Sequence, residues 1–187
     1  MKRLLVLLGL LFFTAAHAAT PLPRDSIYQL DVKLTDQDGA TWPLASRRGH
    51  VQLVSMFYSS CTMVCPMIVD TLKLTQKAVD EPDRDRLALL LISFDPARDS
   101  VPVLHQYAER RKLQASLWTL ARAEPASTRQ LAALLGVQYR PLPDGDFNHS
   151  SELLLLDEEG RIVARTAIIG RLDPEFVQAV KKSLREP

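Results

Sequence analysis

Two cysteines that lie close together carry the chemistry this sequence suggests. Residues 53–66 read LVSMFYSSCTMVCP, in which Cys61 and Cys65 form a CxxxC pair and are the only cysteines of the 187-residue chain. A thiolate is both the nucleophile of disulfide exchange and a soft metal ligand, so the pair can form a disulfide, reduce one or hold a metal ion. The spacing does not choose among these. A purely structural disulfide is the weakest reading, because a bridge that closes so short a loop constrains the unfolded chain little.

If the pair binds a metal, His149 is the natural third donor. Structural zinc requires four ligands, and the chain has only four histidines in all. Copper(I) is soft and is satisfied by two thiolates with one further donor. His149 precedes a predicted strand at 153–156, and it reaches the cysteines if that strand lies beside a predicted strand at 51–58. The alternative is a solvated loop histidine.

For the other candidate residues, the sequence gives weaker evidence of a functional role. Asp95 follows the second buried strand, where it is expected to orient the site or set its charge; the alternative is a turn aspartate that caps the local backbone. Met63 lies between the cysteines, and a side chain that covers the site is favoured over a thioether ligand. His50 and His105 are expected to have structural or solvated roles, and His17 falls in residues 1–18, which are predicted below to be a signal peptide.

The elements around the cysteines follow from the apolar pattern. The nearly continuous apolar run over 51–58 predicts a buried parallel strand that delivers the thiols to the start of a helix. Pro66 suits the first position of that helix, which is predicted to continue to about Val79. A thiol at a helix N-terminus faces the positive end of the dipole, so the pKa of Cys65 is expected to be lowered.

The rest of the chain alternates strands and helices. The patterns predict a hairpin over 28–44, strands at 87–94, 117–120, 153–156 and 161–167, helices at 100–112, at 125–135 and after Asp173, and an irregular loop over 141–150. This order predicts an α/β sandwich, in which ligands gather at the ends of strands.

The N-terminus and the composition bear on location. Lys2 and Arg3 precede an apolar run, 4–13, that is too short to span a membrane, and an Ala-His-Ala sequence follows. We predict a signal peptide over 1–18, a tether over 19–26 and one domain over 27–187. The expected protein is exported to the periplasm and is not an integral membrane protein once cleaved; an uncleaved membrane anchor is the alternative. A net charge of +1 gives no indication of nucleic-acid binding.

Three segments together resemble a known family. FYSSCTMVCP, ISFDPARDS and FNHSSELLLLDEEGRI occur in this order and spacing, and in combination they resemble the Sco/SenC family. The resemblance implies a thioredoxin-like fold with a central mixed sheet flanked by helices and an N-terminal β-hairpin. It also implies copper bound by Cys61, Cys65 and His149. Asp95 matches the aspartate of the family's Asp-Pro-x-Arg-Asp stretch, which is associated with copper or redox function.

The resemblance further implies a metallochaperone role. The expected client is the CuA centre in cytochrome c oxidase subunit II, which would receive copper or have its cysteines reduced. Another cuproprotein is the alternative client. A thiol reductant is an expected second partner. Thr62 stands where the family more often has proline, and Ser59 where it has threonine. These differences concern the particular client rather than the fold.

Two enzymatic alternatives stay open. A periplasmic thiol–disulfide oxidoreductase acting on a cysteine-containing partner uses the same thiolate chemistry. Two features count against this function. Thioredoxin-type redox motifs are CxxC, whereas this pair is CxxxC. Such reductases also resemble one another in a cis-proline just before the strand that enters here at about Ser151, and this chain has no proline between Pro143 and Pro174. A peroxidase would need a polarising arginine beside the thiolate, for which Arg98 is the candidate.

Overall fold

The computed structural model describes residues 21–186, so the predicted signal peptide over 1–18 lies outside the described residues. The strands are β1 (Lys33–Asp36), β2 (Thr41–Pro43), β3 (Gln52–Phe57), β4 (Ala88–Ser93), β5 (Trp118–Arg122), β6 (Tyr139–Pro141), β7 (Phe147–His149), β8 (Leu153–Leu156) and β9 (Ile162–Thr166). The helices are α1 (Val64–Lys77), the one-turn α2 (Glu81–Arg84), α3 (Val101–Arg110), α4 (Pro125–Leu135) and α5 (Pro174–Arg185). Within this part of the chain, no helix has both the length and the apolar character needed to cross a bilayer.

The buried strands β3 and β4 lie at the centre of a seven-stranded mixed sheet of order β2-β1-β5-β4-β3-β8-β9. Strands β3 and β4 are parallel, and all six residues of β3 are buried. This confirms the prediction from near-continuous hydrophobicity, which is typical of strands covered on both faces. The N-terminal hairpin of β1 and β2 is also confirmed and joins the sheet through β5.

The topology brings three segments to one edge of the sheet. Phe57 pairs with Ser93 at the carboxyl ends of the parallel strands β3 and β4, so the loops that follow both strands leave at the same edge. Strand β8 runs antiparallel to β3, with Val54 opposite Leu154, so the chain enters β8 from that edge. The condition under which His149 reaches the cysteines, that the strand at 153–156 lies beside the strand at 51–58, is therefore met.

Helix α1 begins earlier than the sequence predicts and includes Cys65. Helix α1 starts at Val64, which makes Pro66 its third residue rather than its first. The first N–H groups of a helix have no intrahelical acceptor, so proline is tolerated throughout the first turn. The predicted ends of two other helices are confirmed: Gly136 terminates α4 with φ of 75°, and the Asp173 carboxylate caps α5 by accepting from the N–H of Glu175.

The predicted irregular loop over 141–150 is wrong. Strands β6 and β7 form a separate two-stranded hairpin, in which Tyr139 pairs with His149 and Pro141 pairs with Phe147. The turn closes at an Asp144-Gly145 step, with Gly145 at φ of 86°. The proline-rich composition obscured a turn of a kind that commonly joins hairpin strands. His149 is thus held in a hairpin rather than in a loose loop.

Candidate metal centre

Three donor atoms converge where the loops meet at the edge of the sheet. The sulfurs of Cys61 and Cys65 and a ring nitrogen of His149 all lie within 4.8 Å of one another. Both cysteines are buried and His149 is half-buried. No other cluster of three or more histidine, cysteine or acidic ligands occurs within residues 21–186. The fold therefore assembles the three residues that the sequence analysis selected as ligands.

Cys61 has the more acidic thiol of the pair. Burial opposes the ionisation of Cys61, but several hydrogen bonds favour its thiolate. They come from the backbone N–H groups of Cys65 and Met63, from the Cys65 thiol and from the Tyr58 hydroxyl. The pKa of Cys61 is therefore lowered overall. The N–H of Cys65 lies 3.3 Å from the Cys61 sulfur. These donors include the free N–H groups at the start of α1, which is the positive end of the helix.

The expected lowering of the Cys65 pKa is wrong. Its side chain is fully buried. Burial raises the thiol pKa above its ordinary value, and the neighbouring charge of Cys61 adds to the increase, although a backbone hydrogen bond from Tyr58 opposes it. Because α1 begins at Val64, the N–H of Cys65 lies at the helix terminus while its sulfur points into the protein. The dipole therefore acts on Cys61 instead, and the two sulfurs differ in reactivity.

His149 is oriented so that one ring nitrogen is available. Its Nδ1 lies 2.9 Å from the carbonyl oxygen of Ser150. A carbonyl only accepts, so Nδ1 carries the proton and Nε2 presents its lone pair. When an imidazole binds a metal through one ring nitrogen, a hydrogen bond from its other ring nitrogen, as from Nδ1 here, usually fixes the orientation of the ring. The ring packs against Phe94 at 5.0 Å and edge-on to Tyr58 at 5.8 Å between centroids.

Cys61 and His149 line a small cleft of about 240 Å³ together with Tyr58, Asp146 and Phe147, whereas Cys65 lies buried behind it. The Tyr58 hydroxyl is hydrogen-bonded to the Asp146 carboxylate and lies within reach of the Cys61 sulfur. Burial raises the pKa of Tyr58, and both of these anionic neighbours raise it further, so the hydroxyl keeps its proton as a donor. Met63 also lines the cleft, and 79% of its surface is exposed.

Asp95 lies near the site but is not one of the converging donors. Its carboxylate is paired with Arg98, and its N–H donates to Ser93 Oγ at 3.0 Å. The described contacts of Arg98 are to Asp95 and to the ring of Phe147, and none of them reaches a thiol. His105 is half-exposed and pairs with acidic side chains away from the cysteines.

Asp99 is the aspartate that holds the cysteine loop. It is completely buried and accepts hydrogen bonds from the backbone N–H of Ser59 at 3.1 Å, from the Ser59 hydroxyl and from the Ser93 hydroxyl. Burial raises the pKa of Asp99, although these hydrogen bonds favour the carboxylate. Asp99 therefore joins the end of β4 to the loop that begins two residues before Cys61.

Sequence reasoning missed Tyr58, Asp99 and Asp146. Asp99 is the second-last residue of the ISFDPARDS segment, and Tyr58 and Asp146 each stand three residues before a donor, at Cys61 and His149. Polar side chains this close to candidate ligands were an available signal. Only the three-dimensional structure shows which of them are hydrogen-bonded to one another.

Comparison with known proteins gives a consistent result. Residues 23–185 match the family model described as SCO1/SenC. A protein of Stutzerimonas stutzeri described as a putative copper-binding protein is 26% identical over 146 residues, which cover 75% of this chain and 69% of that protein. The mitochondrial protein SCO2 of Saccharomyces cerevisiae is 32% identical over 74 residues, or 40% of this chain and only 25% of that protein's length.

A solved structure shares the fold. The structure of ScoI from Bradyrhizobium japonicum with copper bound has a TM-score of 0.68 and 25% identity, and the match covers 81% of this chain and 96% of that one. The matching region includes the greater part of the described sheet and helices.

Proposed function

Because the chain belongs to the SCO1/SenC family, we propose that it is a copper-binding metallochaperone whose ligands are Cys61, Cys65 and His149. The observation that carries the proposal is the convergence of two sulfurs and one imidazole nitrogen within 4.8 Å. Soft thiolates with an imidazole suit Cu(I), and an imidazole also accommodates Cu(II). The Bradyrhizobium relative held copper in its structure, and the Stutzerimonas relative is described as copper-binding.

The donor set favours copper over structural zinc. A structural zinc site is closed by four protein ligands. Within the described part of the chain, the cluster contains three donors. The Asp95 carboxylate, a possible fourth, is instead paired with the Arg98 guanidinium. At metal–sulfur distances of about 2.3 Å, the donors of a three-coordinate ion lie roughly 4 Å apart. The upper limit of 4.8 Å on the observed separations is compatible with this value.

The proposed client is a cuproprotein outside the cytoplasm. By analogy with the family, it is the CuA centre of cytochrome c oxidase subunit II, which receives copper or has its cysteines prepared for copper. Export to the periplasm is supported by the basic, apolar and Ala-x-Ala pattern of residues 1–18. A thiol reductant that keeps Cys61 and Cys65 reduced is a proposed second partner.

One observation favours a second candidate function, the reduction of a disulfide in a partner protein. Cys61 has a lowered pKa and lies at the cleft, whereas Cys65 is buried with a raised pKa. In this reaction the Cys61 thiolate attacks the partner's disulfide and forms a mixed disulfide while one partner thiol leaves. Cys65 then attacks Cys61, which yields a Cys61–Cys65 disulfide and a fully reduced partner.

The test is a titration of the reduced protein with Cu(I) in competition with a chromogenic chelator. We expect one copper per chain, loss of that copper in Cys61→Ser and in Cys65→Ser, and affinity weakened by tenfold or more in His149→Ala. His105→Ala is the matched control, because that imidazole is half-exposed and is not one of the converging donors. A Cu(II)–thiolate charge-transfer band would report coordination by sulfur.

Two results would count against the metallochaperone. Full-strength copper binding by His149→Ala would remove the third ligand. Rapid, copper-independent turnover of a disulfide substrate by the wild-type protein, lost in Cys61→Ser, would place the oxidoreductase first.

A further inference from the structure

The hairpin that carries His149 is separate from the main sheet. Strands β6 and β7 pair only with each other in the described structure, and the backbone bond from Ser150 N–H to Gln138 O closes their base. A two-stranded hairpin on its own is only marginally stable in water. Side-chain contacts must therefore fix its position over the cysteines.

Those contacts consist of ring packing and one hydrogen bond. Phe147 packs against Tyr58 and Phe94 with centroids 5.1 and 5.3 Å apart, and the Arg98 guanidinium lies over the Phe147 ring. Ring packing allows sliding and rotation, whereas a hydrogen bond to a carboxylate has a preferred direction. In residues 21–186, a single hydrogen bond joins the hairpin to the segment that carries the thiols, and it links Asp146 to Tyr58.

This bond connects the two halves of the donor set. Tyr58 directly continues β3 toward Cys61, and its hydroxyl also reaches the Cys61 sulfur. Asp146 lies in the turn of the hairpin, where its carboxylate additionally accepts from the N–H of Phe147 at 3.0 Å. The bond therefore fixes the side of the cleft that holds the imidazole relative to the side that holds the sulfurs.

We propose that Asp146 is a positioning residue for the metal centre, because its hydrogen bond to Tyr58 holds the β6–β7 hairpin so that His149 lies within bonding distance of both sulfurs. The inference rests on the proposed copper function, which it deepens. A site that is competent only in a fraction of molecules has an apparent Kd raised by the inverse of that fraction. If loss of the bond lowers the competent fraction to about one tenth, copper binds about tenfold more weakly.

The experiment measures Cu(I) affinity for Asp146→Ala and Tyr58→Phe by chelator competition. Both variants are expected to bind about tenfold more weakly than wild type. Asp144→Ala is the matched control for the first, because it removes an aspartate that caps the same turn without contacting Tyr58. Tyr139→Phe is the control for the second, because no described hydrogen bond involves its hydroxyl. Both controls are expected to stay within about twofold of wild type.

The His149→Ala background separates positioning from general destabilisation. If Asp146 acts through His149, adding Asp146→Ala to His149→Ala produces no further loss of copper affinity. Asp146→Asn keeps an oxygen acceptor and is expected to restore part of the affinity. The proposal is overturned if Asp146→Ala binds copper as tightly as wild type, or if it weakens binding equally in the His149→Ala background.

A measurement without metal distinguishes failure of this inference from failure of the copper function. Hydrogen exchange of the metal-free protein should be faster for the amides of residues 139–149 in Asp146→Ala than in Asp144→Ala. Unchanged exchange refutes the positioning role whatever the metal result. Faster exchange in a protein whose wild-type form takes up no copper would refute the proposed function and leave the positioning of the hairpin intact.

Discussion

Replacing Asp99 should destabilise the protein far more than replacing Asp95, although the two aspartates lie four residues apart in one segment. Asp99→Ala removes a fully buried acceptor from three donors: one N–H and one hydroxyl of Ser59, and the hydroxyl of Ser93. A buried donor left without a partner costs about 1–3 kcal/mol. The hydroxyls can rotate toward other acceptors, but the backbone N–H cannot.

The expected loss in Asp99→Ala is about 3 kcal/mol, the lower part of the range for three donors. Relief of the buried charge offsets some of the loss, since burial raises the pKa of Asp99. Asp99→Asn, which keeps an oxygen for the Ser59 N–H and carries no charge, should therefore cost less than the alanine variant. Asp95→Ala breaks an ion pair in which the Asp95 side chain is 8% exposed and the Arg98 side chain is 46% exposed. Because the guanidinium left behind reaches solvent, the loss is expected to be about 1 kcal/mol, the upper end of the range for exposed pairs.

The assay is urea unfolding of the reduced, metal-free protein, followed by fluorescence and far-ultraviolet circular dichroism. With a slope of about 2 kcal/mol per molar urea, the difference of roughly 2 kcal/mol between the alanine variants is a midpoint difference of about 1 M. An Asp95→Ala midpoint as low as that of Asp99→Ala would refute this account of how the cysteine loop is held.

Three further predictions concern the thiols and the backbone. Iodoacetamide should modify Cys61 before Cys65 in the native reduced protein, because Cys61 has the lower pKa and is the less buried; peptide mass spectrometry that finds Cys65 modified first would contradict it. Gly160→Ala should lower the free energy of unfolding by at least about 1 kcal/mol, because φ is 77° and a Cβ would lie 2.5 Å from the Tyr28 ring; an unchanged thermal midpoint would show that the ring moves freely. Asp173→Ala should cost about 1 kcal/mol in urea unfolding through loss of the α5 cap, and no measurable loss would mean that the cap is dispensable.

The positions of the three donors could be predicted because they depend on topology. The apolar runs that form β3 and β4 indicate parallel buried strands, and residues after such strands meet at one edge of a sheet. His149 followed from the conditional placement of the strand at 153–156 beside the strand at 51–58, which the register of β8 satisfies. These inferences needed only the order of the elements and the direction in which each strand runs.

The supporting groups could not be predicted in the same way, because their roles depend on side-chain direction. Asp95 and Asp99 belong to the same turn, and nothing in the sequence says which of them faces Ser59. The hairpin of β6 and β7 escaped detection for a related reason. Its strands have three residues each and include Pro141, so no periodicity marks them, and their rings pack on residues distant in sequence.

The acidity of the two thiols shows how much a small displacement of an element matters. Placing the start of α1 at Pro66 makes Cys65 the residue that faces the helix dipole. The actual start at Val64 leaves the N–H of Cys65 directed at the Cys61 sulfur, while the Cys65 sulfur is enclosed by the core. A shift of two residues therefore exchanges the roles of the sulfurs: Cys61 becomes the more acidic thiol at the cleft, and Cys65 becomes the buried partner with a raised pKa. The same three donors would be selected as the proposed ligands under either placement of the helix start. Which thiol would attack and which would resolve does depend on the helix start, because a thiol's pKa depends on which hydrogen-bond donors lie within about 4 Å of its sulfur.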